Sequence, residues 1–125
     1  KLVLTEKLLT HDDQTATSNM KIELKGADSS VQVISRSVAQ DSSVQVFNPL
    51  VIGECACRGH VQCDAIIMGN AKVKAIPGIE AASEDAMLVH EAAIGKIAGD
   101  QIVKLMTLGL TEEEAEAEIL DDFLS

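Results

Sequence analysis

Apolar and polar residues alternate through most of the chain. Asp28-Ser29-Ser30-Val31-Gln32-Val33 places a turn-forming triplet before a strict alternation. The same order returns as Asp41-Ser42-Ser43-Val44-Gln45-Val46, 13 positions on, with weaker echoes at Val61-Gln62 and Val73-Lys74 at further offsets of 17 and 12. A period of two is the mark of a half-buried strand, because successive side chains leave opposite faces. Asp, Ser and Gly between the runs supply turn chemistry. The pattern predicts short strands near 2–9, 20–25, 30–35, 43–47, 50–53, 60–67, 72–76 and 86–92, with 10–19 a polar loop. Pro49 and Pro77 are expected at strand edges or turns, since proline cannot donate to a ladder.

The period changes after about residue 98. Ile102, Leu105 and Met106 fall at i, i+3 and i+4, which predicts a short amphipathic helix over 100–108. Gly109 sits where a helix-terminating glycine belongs. Thr111 followed by Glu114 is a capping box. The helix it opens, 112–124, puts Ala115, Ile119 and Phe123 on one stripe with Leu120 and Leu124 beside it. The expected organisation is a β-rich body over 1–97 and a helical region over 98–125.

Composition narrows the β-rich part. Apolar residues make up 46% of the 125, yet there are only two Phe, no Tyr and no Trp. A thick two-layer core normally uses several large rings. Thin stacked layers of Val, Ile, Leu and Ala need none, because each rung of a solenoid is covered by its neighbours. The fold expected is therefore mostly β, built as β-solenoid rungs with a small two-helix region after them.

Charge and cysteine content exclude several functions. Twenty acids against ten bases give a net charge of −10. That balance, with no aromatic platform, excludes a nucleic-acid binder. Seven of the acids lie in 112–124 with no base among them, and the rest of the chain is close to neutral. This stretch reads either as a solvated face or as an acidic docking surface. No run reaches the roughly 18 apolar residues of a membrane span. Three cysteines do not make a disulfide framework and fit a reducing, cytoplasmic setting. No phosphate-cradling glycine loop and no nucleophile elbow is present, so any ATP hydrolysis would have to come from a partner subunit. The chain begins at Lys1, inside a predicted strand, and so reads as part of a longer protein.

Several residues carry a family resemblance. Cys63-Asp64, Ala71 through Pro77, and Ile79-Glu80 look like the last rungs of the SufB/SufD family. Val89-His90-Glu91-Ala92-Ala93-Ile94-Gly95-Lys96-Ile97, Asp100-Gln101-Ile102, Leu105-Met106 and Gly109 through Ala115 match more closely. The resemblance is specific over about residues 60–124. It implies a right-handed parallel β-helix followed by a small helical domain, acting as a scaffold in iron–sulfur cluster assembly. It implies a transient cluster, a SufC-like ABC ATPase docked on the helices, and pairing of two β-helix subunits, SufB/SufD-like or self, through their last rungs. Candidate ATPase contacts are Leu105, Met106, Leu108, Glu112, Glu113, Glu116 and Phe123.

The candidate iron or cluster contacts are His90, Glu91, Cys63 and Glu80. Imidazole, carboxylate and thiolate all ligate iron, and a carboxylate also orients a ligating histidine. Neighbours on a strand face opposite ways, so one of His90 and Glu91 is expected to point inward or across a dimer. Cys55, Cys57, His60 and Cys63 form a second group within nine residues. Their spacing is no standard zinc or ferredoxin pattern, and buried structural thiols are the plainer reading. Two other functions fit less of the sequence. Val51, Cys57, Cys63 and Gly69 recur at six, as in a left-handed hexapeptide β-helix enzyme with a metal. A purely structural oligomerisation module is the other.

Overall fold

The computed structural model describes all residues, 1–125. Eight strands come first: β1 (Leu2–Thr10), β2 (Thr15–Leu24), β3 (Ser30–Ala39), β4 (Val44–Gly53), β5 (Cys57–Ile67), β6 (Lys72–Ala75), β7 (Gly78–Ala81) and β8 (Ala86–Gly95). Two helices follow, α1 (Gly99–Met106) and α2 (Glu112–Leu124). Successive strands alternate between two parallel sheets, ordered β1-β3-β5-β8 and β2-β4-β6, with β7 also on β4. The chain therefore coils as a β-solenoid of about three turns, each adding one rung to both sheets.

Register explains the irregular repeat. Leu2 pairs with Val31 and Val31 with Gly59, so one turn is 28–29 residues. The 13-residue offset is only the step from β3 to β4, the two sides of one turn. Asp28 and Asp41 recur because both hold a left-handed backbone, with φ of 63° and 59°, at the corners before these strands. Asp tolerates that region better than most residues. With ten-residue strands in two sheets per turn, the chain does not form the six-residue sides of a hexapeptide helix.

The expected polar loop at 10–19 is corrected by the structure: only the residues between β1 and β2 turn, and Thr15 onward is strand. Ala16 and Ser18 face inward beneath Gln45 and Phe47, so small polar residues fill the inner face without a visible apolar contrast. The two strands expected at 43–47 and 50–53 are one strand, β4, and Pro49 lies within it. Proline has no N–H to offer there, and opposite this point β6 gives way to β7. β7 itself, too short for a periodic signal, was not expected. β5 starts three residues earlier than the alternation predicts and β8 runs on to Gly95.

The interior is a set of stacked columns. Leu4, Val33, Val61 and His90 form one, and Glu6, Ser35, Cys63 and Ala92 the next. Val33 is fully buried, and Phe47 is the only ring among the buried core side chains. The corner after β3 is polar but satisfied: Gln45 Nε2 donates to Thr10 Oγ1 (2.9 Å) and to the Val38 carbonyl (3.1 Å). Helix α2 lies on the outside of β3, burying Ala115 and covering Val38. Its predicted capping box is present, with the Glu114 N–H donating to Thr111 Oγ1 at 3.1 Å. Gly109, at φ 99°, reverses the chain between the helices.

Candidate functional site

The last two rungs bring the candidate residues onto adjacent strands. His90 pairs in register with Val61, and Cys63 with Ala92. All four face inward, so His90 and Cys63 lie diagonally across neighbouring rungs of the bore. Glu91 takes the opposite face of β8, where its Oε2 lies 3.1 Å from His60 Nε2. The expectation that His90 and Glu91 diverge is met, with His90 as the inward partner.

The inward positions differ chemically. His90 Nε2 is buried and has no hydrogen-bond partner. Burial pushes its pKa below the ordinary 6.5, and the charge on nearby His60 adds to the effect. The imidazole is thus neutral at physiological pH and holds a nitrogen with unused bonding capacity. The Cys63 thiol is pushed upward, first by burial and then by the carboxylates of Asp64 and Glu6. It rests as a protonated thiol rather than as a thiolate.

Glu6 escaped the sequence reading. Its carboxylate faces inward one column from the apolar stack, accepting from Ser18 Oγ at 2.6 Å and Ser35 Oγ at 3.4 Å. A signal was available: Leu2, Leu4, Glu6 and Leu8 share one face of β1, and an acid on that face needs partners. A narrow internal gap is lined by Glu6, Ser18, Ser35 and Cys63, among others, so the polar column is continuous from the first rung to the second-last.

Other candidates fall elsewhere. Glu80 sits on β7 in the other sheet, exposed and paired in register with Ile52. Cys57 faces inward six residues before Cys63, Cys55 lies in the bend ahead of it, and His60 faces out, so this group of four does not converge. No three His, Cys, Asp or Glu side chains meet at one point capable of holding a metal ion. On the helices, Leu108 is 77% exposed and Met106 43% exposed, while Leu105 is half-buried. Glu112 and Glu113 are exposed and Glu116 is half-buried. Phe123 lines a groove with Ile66 and Ile94. No helix is long and apolar enough to cross a membrane.

Stacked parallel rungs ending in an edge strand that carries an unpartnered inward histidine, followed by a helix pair, define a parallel β-solenoid with an appended helical pair. The family comparison agrees, since residues 1–123 match the model for the SUF system FeS cluster assembly, SufBD core domain. The chain belongs to the SufBD family. It is 33% identical over 115 residues to an iron-sulfur cluster assembly SufBD family protein of Methanothermobacter thermautotrophicus, covering 90% of this chain and 28% of that protein. A relative of the same description in Pyrococcus horikoshii is 37% identical over 116 residues, covering 91% of this chain and 35% of its own length. One from Archaeoglobus fulgidus is 28% identical over 123 residues, covering 98% of this chain and 33% of its own. The chain thus spans about a third of the length of these relatives.

Proposed function

We propose that the protein containing this chain is a non-enzymatic, cytoplasmic scaffold on which an iron–sulfur cluster is assembled as cargo. Its working partners are a second SufB/SufD-like subunit or a second copy, and a SufC-like ATPase. The observation that carries the reading is His90: a neutral imidazole nitrogen, buried and without a partner, on the last rung. A buried polar atom left unpaired costs about 1–3 kcal/mol, so its retention in an otherwise apolar column calls for a use. That nitrogen is a suitable ligand for iron, with Cys63 diagonal to it on the neighbouring rung.

One chain supplies too few converging donors to hold a cluster alone. Pairing across β8 would complete the set. This strand is ten residues long, is bonded on one side only, and exposes Met87, Val89 and Ile94. A long unpaired edge is a template for another strand. Exposed Val103, Met106 and Leu108 on and just after α1, beside the acidic α2, supply an apolar patch with an acidic rim for the ATPase. Co-expression of the full-length protein with the ATPase tests the helical contact. The expected result is a co-purified complex that Leu108→Glu with Met106→Glu disrupts. Retention of the complex by that double variant removes the helical docking site from the account.

A further inference from the structure

A second chemically distinctive place lies at the corner before β5, away from His90. Cys55 Sγ donates to the Gly26 carbonyl at 3.0 Å and reaches toward the Leu24 carbonyl at 3.6 Å. Cys57 follows two residues on, as the first residue of β5. Both side chains pack in the same apolar cluster. Ser29 lines the same cleft as Cys57, and its Oγ is shut off from solvent with no hydrogen-bond partner. An open cleft of about 440 Å³ is lined by Asp28, Ser29, Cys57, Arg58, Asp85 and Met87.

Three reactions are open to two adjacent thiols. Disulfide formation fits poorly, because a bridge between residues only two apart closes a small, strained ring. A hard or tetrahedral ion would need further ligands, and no third His, Cys, Asp or Glu converges here. A soft d10 ion needs only two sulfurs and is thiophilic enough to displace both protons.

We propose that Cys55 and Cys57 form a two-coordinate site for a cuprous ion, entered through the cleft beside Asp28 and Asp85. On binding, two S–H bonds are replaced by two S–Cu bonds, and two protons leave to solvent with no change of oxidation state. The Ser29 hydroxyl then gains the acceptor it lacks, donating to one of the two thiolates. It is a positioning residue for the site, and a hydrogen bond to a charged group is worth about tenfold or more in affinity.

The test is anaerobic titration of the reduced, full-length protein with Cu(I) against a chromogenic Cu(I) chelator. One equivalent withheld from the chelator is expected from these residues and lost in Cys55→Ser. Cys55 is half-exposed in a bend, so serine fits there, and far-ultraviolet circular dichroism checks that the fold is kept. Ser29→Ala should weaken binding by about tenfold, with Ser29→Thr restoring it. Affinity should also rise with pH as two protons are released. No withheld equivalent in the wild type, or the same equivalent in Cys55→Ser, overturns the proposal. A Cys55–Cys57 disulfide that forms in air on a protein which takes up no Cu(I) when reduced does so as well.

Discussion

Replacing His90 by Leu should stabilise the fold. His90 stacks on Val61, Val33 and Leu4, an otherwise apolar column, with its Nε2 buried and unpaired. Removing an unsatisfied buried polar atom recovers about 1–3 kcal/mol. Leucine is of similar size, so little cavity or overpacking offsets the gain. A net stabilisation of about 1–2 kcal/mol at pH 7.5 follows, visible in urea as a midpoint raised by about 0.5–1 M at unchanged slope. The pH dependence sharpens the test. Burial lowers the folded-state pKa of His90, so below about 6.5 the unfolded chain takes up a proton that the folded chain resists. Wild-type stability is therefore lost as pH falls from that value toward the depressed folded one, and the leucine variant escapes this loss. Its advantage should widen between pH 7.5 and pH 5.5. A variant less stable than wild type at pH 7.5, or an advantage that does not grow on acidification, would refute the assignment of His90 as a buried, unpaired, neutral imidazole.

Other substitutions test the frame around it. Val33→Ala, at a fully buried site in mid-stack, should cost about 2–3 kcal/mol in urea unfolding. Val3→Ala, 53% exposed on the outer face of the same sheet, should cost less than about 0.5 kcal/mol, and equal losses would mean that the faces are misassigned. Thr111→Ala removes the acceptor for the Glu114 N–H and should cost about 1 kcal/mol, read as faster amide exchange in the first turn of α2. Gly53→Ala should destabilise, because an added Cβ would lie 2.9 Å from Cys57 Sγ and 3.0 Å from Ala86 Cβ, and Ala86 has no side-chain torsion with which to yield.

The solenoid was legible because its alternation is strong where strands are apolar on one face, as in β3 and β4. The Asp-Ser-Ser repeat marked the corners, although its 13-residue spacing is half a turn and concealed the true 28–29-residue period. β2 was half missed because Ala16 and Ser18 face the bore with little contrast to Thr15 and Thr17. β7 was missed because its four residues are too few for a period to show. In the site, alternation alone separated His90 from Glu91. It could not decide which one faced the bore; that depends on pairing β8 to β5 with His90 beside Val61. The His60–Glu91 contact is likewise a product of register between residues 31 apart. Cys63 and Glu6 meet in one column for the same reason. Nothing local in the sequence announces that a thiol on one rung sits two rungs from a carboxylate.

The central claim is that the last rungs of this SufBD-family chain hold iron–sulfur cargo through His90. The most direct measurement is the iron and acid-labile sulfide content of the anaerobically purified full-length protein, co-expressed with its ATPase, compared with that of His90→Leu. Co-purified iron and sulfide in the wild type, lost in a variant that still folds and still binds its partner, is the predicted result. Equal iron and sulfide in both proteins, or none in the wild type, would contradict the account.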